Sequence, residues 1–293
     1  MEPINKASEY PPDWWRKPGV IEFLFREFRQ FVIGLLISYS SNDVSTYRFY
    51  TGFLLENKEH LFWMTAGHII DQIDQILQAG NKISSMRWFD GYPKEGAETI
   101  PINFHSLRKK SWISLGIDAG VIDISLLEKE NILKNNLVNP MNKQIWDQVE
   151  QAKPEGYFVV GFPRIFNNYN ERPAQKNKVL KSIRADYACI PLDKLAFPVN
   201  DPNTEFFDKP DAFYGQLIDQ QLDPVDFVHS IQYMSGSPIF SIERTQEVNI
   251  LYRLVGIQKK WLPESRRICA EPIGRIIQEL NSWLEEEIKL KKP

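Results

Sequence analysis

A chain of 293 residues with 43% hydrophobic and 13% aromatic content can bury a substantial core, as one large all-β unit or as two smaller domains. A formal net charge of −3 excludes a globally basic surface of the kind that general nucleic-acid binding requires. The longest apolar stretch, Phe31 to Ile37, has the length of a buried strand and is far too short to cross a bilayer.

Residues 1–29 read as an N-terminal arm. Its first part is rich in proline, tryptophan and charge, and Trp14 and Trp15 are expected to pack on the surface of the domain that follows. Ile21, Leu24, Phe25 and Phe28 fall at helical spacing, which predicts a short covering helix. The N-terminus lacks the basic segment and apolar run of a secretory signal, and the only cysteines are Cys189 and Cys269. The expected location is the reducing cytoplasm.

From Gln30 the pattern becomes β-rich. Phe31–Tyr39, Tyr50–Leu55 and Leu61–Thr65 read as strands, with a polar turn around Asn57 joining the last two as a hairpin. Ile69, Ile70, Ile73, Ile76 and Leu77 have helical periodicity, which Gly80 ends. Further strands are expected at Ile83–Phe89, Thr99–Phe104 and Val121–Ile124, giving a first β-rich unit over 30–125. Residues 126–155 are polar and form the natural linker. A second β-rich unit over 156–272 opens at Gly156–Pro163 and continues through strand candidates at Val179–Ile190, Pro238–Ile242, Ile250–Lys260 and Arg267–Ala270. Within it, 191–226 is dense in prolines, aromatics and acids and reads as a long acidic insertion, either rimming a cleft or lying on the surface. Ile273, Ile276, Ile277, Leu280, Trp283, Leu284 and Ile288 mark one face of a C-terminal helix within 273–293.

Three segments carry the chemistry. Thr65-Ala66-Gly67-His68 directly follows an apolar strand; Asp118-Ala119-Gly120-Val121-Ile122 runs into another. Gln232-Tyr233-Met234-Ser235-Gly236-Ser237-Pro238 sets a serine between a tight turn and a strand. Histidine titrates near neutrality and suits a general base. An aspartate orients it, and a serine beside it becomes a nucleophile. Of the four histidines, His60 lies in a charged turn and His105 in a polar loop, and only His68 sits in a small-residue stretch directly after an apolar strand. Asp123 alternates away from the core pattern and is expected to face solvent.

The order His68, Asp118, Ser235, with these flanking residues, resembles the trypsin-like (chymotrypsin-fold) serine peptidases, in a bacterial-type intracellular form. The resemblance spans roughly Gln30 to Leu284. It implies an all-β fold of two packed six-stranded antiparallel barrels with a C-terminal helix. It also implies a His68–Asp118–Ser235 triad, with Ser237 as the alternative nucleophile, and an oxyanion hole from the backbone N–H groups of Tyr233 and Ser235. The substrate would be a protein or peptide, with neither cofactor nor metal, no nucleic-acid or membrane partner, and room for an activating protein. Aligned without gaps, His229, Gln258 and Lys259 (with Lys260 beside them) would line the specificity pocket and favour an acidic or amide side chain. The sharpest departure is Tyr233, where the family has glycine. Tyrosine resists the dihedrals that glycine takes there, so the expectation is a resting state with a flipped peptide, gated by substrate or partner. The alternative is a catalytically silent domain that binds or senses. An α/β-hydrolase is excluded by the histidine coming first and by the missing glycine before Ser235, and no zinc-ligand pattern is present.

Overall fold

A computed structural model describes residues 13–41, 44–90, 107–125, 132–133, 138–147, 154–163, 188–197, 206–207, 209–218, 231, 233–244 and 249–290. After a short turn at Trp14–Arg16, helix α1 (Pro18–Arg29) starts at a proline, tolerated there because the first helical N–H groups have no internal partner. The first unit follows as β1 (Val32–Ser41), β2 (Val44–Asn57), β3 (His60–Thr65), helix α2 (Gly67–Gln78), β4 (Lys82–Phe89), β5 (Arg108–Ser111) and β6 (Gly120–Asp123). These six strands form an antiparallel sheet in the order β4-β1-β2-β3-β6-β5. The central strand β3 has both faces covered. Leu61 and Trp63 enter the first unit's own core, while Phe62 and Met64 enter a core shared with the second unit.

The second unit is a closed barrel of β7 (Gly156–Gly161), β8 (Ala188–Lys194), β9 (Phe213–Leu217), β10 (Pro238–Arg244), β11 (Ile250–Leu262) and β12 (Arg267–Pro272), in the order β10-β11-β12-β9-β8-β7. Pro238 begins β10, the strand position where a missing N–H is best tolerated. The C-terminal helix Ile273–Leu290 buries Ile273, Ile276 and Leu280 in the shared core. A closed six-stranded barrel, a second six-stranded sheet and a C-terminal helix are the all-β class that the sequence predicts. Among the described residues, no helix is long and apolar enough to cross a membrane.

Several expectations are corrected. The acidic insertion over 191–226 is not one long loop: its first residues belong to β8 and Phe213–Leu217 is β9, both integral to the barrel. Between them, Phe197, Phe206 and Phe207 pack around Tyr214. Asp123 does not face solvent. It is buried, accepts hydrogen bonds from Ser125 and Arg108, and pairs with the half-exposed His60. Strand β5 is a run of Arg-Lys-Lys-Ser with no apolar alternation, and its pairing with β6 makes it a strand. The strand expected at Thr99–Phe104 and His105 lie outside the described residues, as does most of Val179–Ile190.

Candidate active site

His68 is the second residue of α2. The residue capping that helix is Ala66, whose side chain cannot accept a hydrogen bond. Asp118 supplies the missing acceptor from the turn before β6. Its Oδ1 takes the His68 backbone N–H at 3.0 Å, and its two carboxylate oxygens stand 3.1 and 2.9 Å from His68 Nδ1. An ionised carboxylate only accepts, so the ring proton sits on Nδ1 and the lone pair of a neutral ring on Nε2. One carboxylate thus fixes the backbone, the ring orientation and the tautomer of His68. The close approach requires Gly67, because a Cβ there would press on the Ala119 carbonyl and Ile113. Burial alone would raise the Asp118 carboxyl. Hydrogen bonding and charge from His68, with Lys259 adding to them, outweigh it and hold the group below the ordinary aspartate value.

Ser235 lies on a pair of successive turns. Met234 N–H donates to the Ile231 carbonyl at 3.0 Å, and Ser237 N–H donates to the Met234 carbonyl at 2.8 Å. The third residue of each turn has positive φ, +74° at Tyr233 and +91° at Gly236. Gly236 is also pressed against the strand leading to His68: a Cβ there would collide with Thr65 Oγ1, the Thr51 carbonyl and the Ala66 nitrogen. The serine turn therefore docks on Thr65-Ala66, two residues upstream of His68. From below, Gly236 N–H donates to the Gln258 carbonyl and Gln258 N–H to the Ser237 carbonyl, which splices the turn into the start of β10 and β11.

Tyr233 meets the strain that the sequence reading expects it to avoid: it occupies the left-handed region. Its carbonyl accepts a hydrogen bond from the buried Thr51 hydroxyl at 3.0 Å, and Met234, fully buried, anchors the next residue. Of the side chains expected in a specificity pocket, His229 lies outside the described residues. Gln258 and Lys259 are both buried. Lys259 is the extra residue of a bulge between Gln258 and Lys260, which turns its side chain inward to Glu271 at 2.9 Å. The assignment of Lys259 to direct substrate contact is therefore corrected; its charge is committed to Glu271.

Glu271 is the main residue that sequence reasoning misses. It is fully buried, and its Oε1 pairs with Lys259 and with Lys209, at 2.9 and 3.1 Å, and accepts the Asp118 backbone N–H at 3.3 Å. Lys209, in the segment between β8 and β9, also donates to the Gly116 carbonyl. The signal is faint but present: an acid directly after the apolar run Ile268-Cys269-Ala270 sits in strand context, where an unpaired carboxylate is costly. Among the described residues, no group of His, Cys, Asp and Glu is arranged to hold a metal ion.

No family model matches the chain, and no curated protein matches it. Among solved structures it is similar to Deg5, at 11% identity over 92% of this chain and 95% of that one, with a TM-score of 0.45. It is also similar to the thermostable serine protease AL20 from an extremophilic microorganism (10% identity, 84% and 92% coverage, TM-score 0.41). A third is protease Anisep from Arthrobacter nicotinovorans (10% identity, 83% and 90% coverage, TM-score 0.39). The functional reading rests on the chain's own strand order and site geometry.

Proposed function

We propose that the chain is a serine endopeptidase acting on proteins or peptides through Ser235, His68 and Asp118. The observation that carries this is the Asp118 carboxylate holding both the ring and the backbone of His68 while the Ser235 turn packs on the strand leading to that histidine. In the reaction, His68 Nε2 takes the Ser235 hydroxyl proton as Oγ attacks the scissile carbonyl. Asp118 stabilises the imidazolium. The proton then passes to the leaving amine, and water repeats the sequence on the acyl-enzyme. The backbone N–H groups of Tyr233 and Ser235 are the donors for the oxyanion.

The oxyanion turn is also the gate. Relaxing Tyr233 to negative φ redirects its own N–H, one of the two proposed oxyanion donors. Left-handed backbone at a non-glycine residue costs on the order of 1–3 kcal/mol, small enough for a substrate or an activating protein to tip the turn. Both cysteines are free and buried, which supports a cytoplasmic setting. The strained tyrosine also favours a second reading, in which the domain binds or senses without turnover. A fluorophosphonate probe separates the two. The peptidase reading expects labelling of wild type that disappears in Ser235→Ala and His68→Ala while both variants stay folded. A wild type that refuses the probe and also leaves a broad peptide library uncut gives the binding module as the answer.

A further inference from the structure

We infer that Glu271 is a positioning residue for the Asp118–His68 pair: a buried carboxylate on the second unit's β12 holds the backbone of the turn that carries Asp118. The inference rests on the peptidase reading for its catalytic consequence. Asp118 ends a short turn between β5 and β6. The Leu115 and Ile117 N–H groups both donate to the Trp112 carbonyl, at 2.9 and 3.2 Å, so the turn closes on itself. Its outer residues Ile113 and Leu115 are exposed, and Gly116 has a φ of +71°. At the Asp118 end, two backbone groups turn instead to the barrel. The Asp118 N–H donates to Glu271 Oε1 at 3.3 Å. The Gly116 carbonyl accepts from Lys209 Nζ, which also donates to the same Oε1 at 3.1 Å. Lys259 Nζ meets that oxygen at 2.9 Å. Three donors thus converge on one carboxylate oxygen, while Oε2 has no hydrogen-bond partner among the described residues.

Stability does not account for this arrangement. Taking charges out of water is costly, and apolar side chains of similar volume commonly replace a buried ion pair without loss. What a buried carboxylate does supply is a strong acceptor at a fixed point. Its support is rigid. Glu271 lies opposite Ile257 in the pairing of β11 with β12, and Ile273, two residues on, is fully buried in the core shared by both units. A strand of a closed barrel holds a side chain in place better than a turn of exposed residues can. The consequence reaches the histidine in one step, because Asp118 both caps α2 and keeps a proton on His68 Nδ1. A turn that drifts takes the carboxylate with it, and a misplacement on the order of 1 Å can cost about 10²-fold in rate. His68 stands on the first unit and Ser235 precedes β10 of the second. Glu271 gives the base an anchor in the nucleophile's own barrel.

The test compares two double variants that both remove the buried ion pair. Glu271→Leu with Lys259→Met leaves the Asp118 N–H without its acceptor, whereas Glu271→Gln with Lys259→Met keeps an oxygen there. If the leucine pair fails to fold, Lys209→Met, which keeps Glu271 and Lys259 and releases the Gly116 carbonyl, is judged against wild type by the same readouts. Ring nitrogen chemical shifts of His68, assigned by their loss in His68→Ala, report which nitrogen carries the proton. With the ring neutral, wild type and the glutamine pair are expected in the Nδ1–H form, and the leucine pair as a mixture with the Nε2–H form. Fluorophosphonate labelling and peptide kcat should be about tenfold lower in the leucine pair than in the glutamine pair, with little change in KM. In an Asp118→Asn background the two pairs should differ by less than about twofold, whereas a merely structural role would cost the same in both backgrounds. A leucine pair that keeps the pure Nδ1–H form overturns the inference, whatever its rate. So does an equal loss of rate in the two pairs. If wild type does not label at all, the peptidase reading fails, and the His68 tautomer alone decides whether Glu271 positions Asp118.

Discussion

Asp118 does three jobs with one carboxylate: it caps α2 through the His68 N–H, holds the ring Nδ1–H, and carries the charge that an imidazolium needs. Asparagine keeps the size but presents an amide, which can donate to Nδ1 and leave the proton on the wrong nitrogen. Asp118→Asn is expected to lower the labelling rate by about 10³–10⁴-fold. The same residue makes stability depend on pH. Its carboxyl is depressed in the folded protein, so its contribution is complete above the unfolded value of roughly 4 and is lost as pH falls through the lower folded value. The stability gap between wild type and Asp118→Asn should be full near neutral pH and close in strong acid, as calorimetric melts across that range would reveal. Tyr233→Gly removes the left-handed penalty and should increase the labelling rate. A rate no higher than wild type would mean that the turn does not limit reaction.

At the scale of elements, Glu271 of β12 and Lys209, ahead of β9, meet beneath Asp118. Glu271 is buried with one oxygen shared by two ammonium groups, and its other oxygen has no hydrogen-bond partner among the described residues. Removing one member of such a group leaves an uncompensated buried charge, whereas replacing the pair with apolar residues of similar volume is often tolerated. Glu271→Leu alone should destabilise by about 3–5 kcal/mol in urea unfolding. Glu271→Leu combined with Lys259→Met should recover most of that loss. The comparison also tests whether the bulge at Lys259 exists to satisfy Glu271, because the double variant no longer needs it.

For the whole molecule, one core runs through both units. Phe28 of α1 stacks on Phe240 of β10 at 4.3 Å and meets Tyr252 of β11 edge-on, while Phe53 and Phe62 of the first sheet join the same cluster. With α1 and the C-terminal helix packed into it, this shared core joins the first unit's own core around Trp63 to the barrel's own core around Ile239. Phe28→Ala should cost about 3–5 kcal/mol and lower a single unfolding transition, not split it in two. Differential scanning calorimetry reads both outcomes, and a lone shift of one of two resolved transitions would argue for independent units.

The all-β class and the helices that cover it were legible in the chain. Each is written in local pattern: alternating or continuous apolar runs and helical spacing. Contacts between distant segments were not legible, because no local period encodes which side chains the fold brings together. Asp123 looked solvent-facing by alternation, yet Arg108 and Ser125 give it partners that make burial tolerable. Lys259 looked like a pocket residue until a one-residue bulge turned it toward Glu271. Tyr233 violates a backbone preference that the sequence states correctly, beside a serine turn that packs against Thr51 and Thr65 of the other unit. Local chemistry set what each segment prefers; the closing of two β units against one another decided which preferences were overruled, since only there do a buried charge and a strained turn find the partners that hold them.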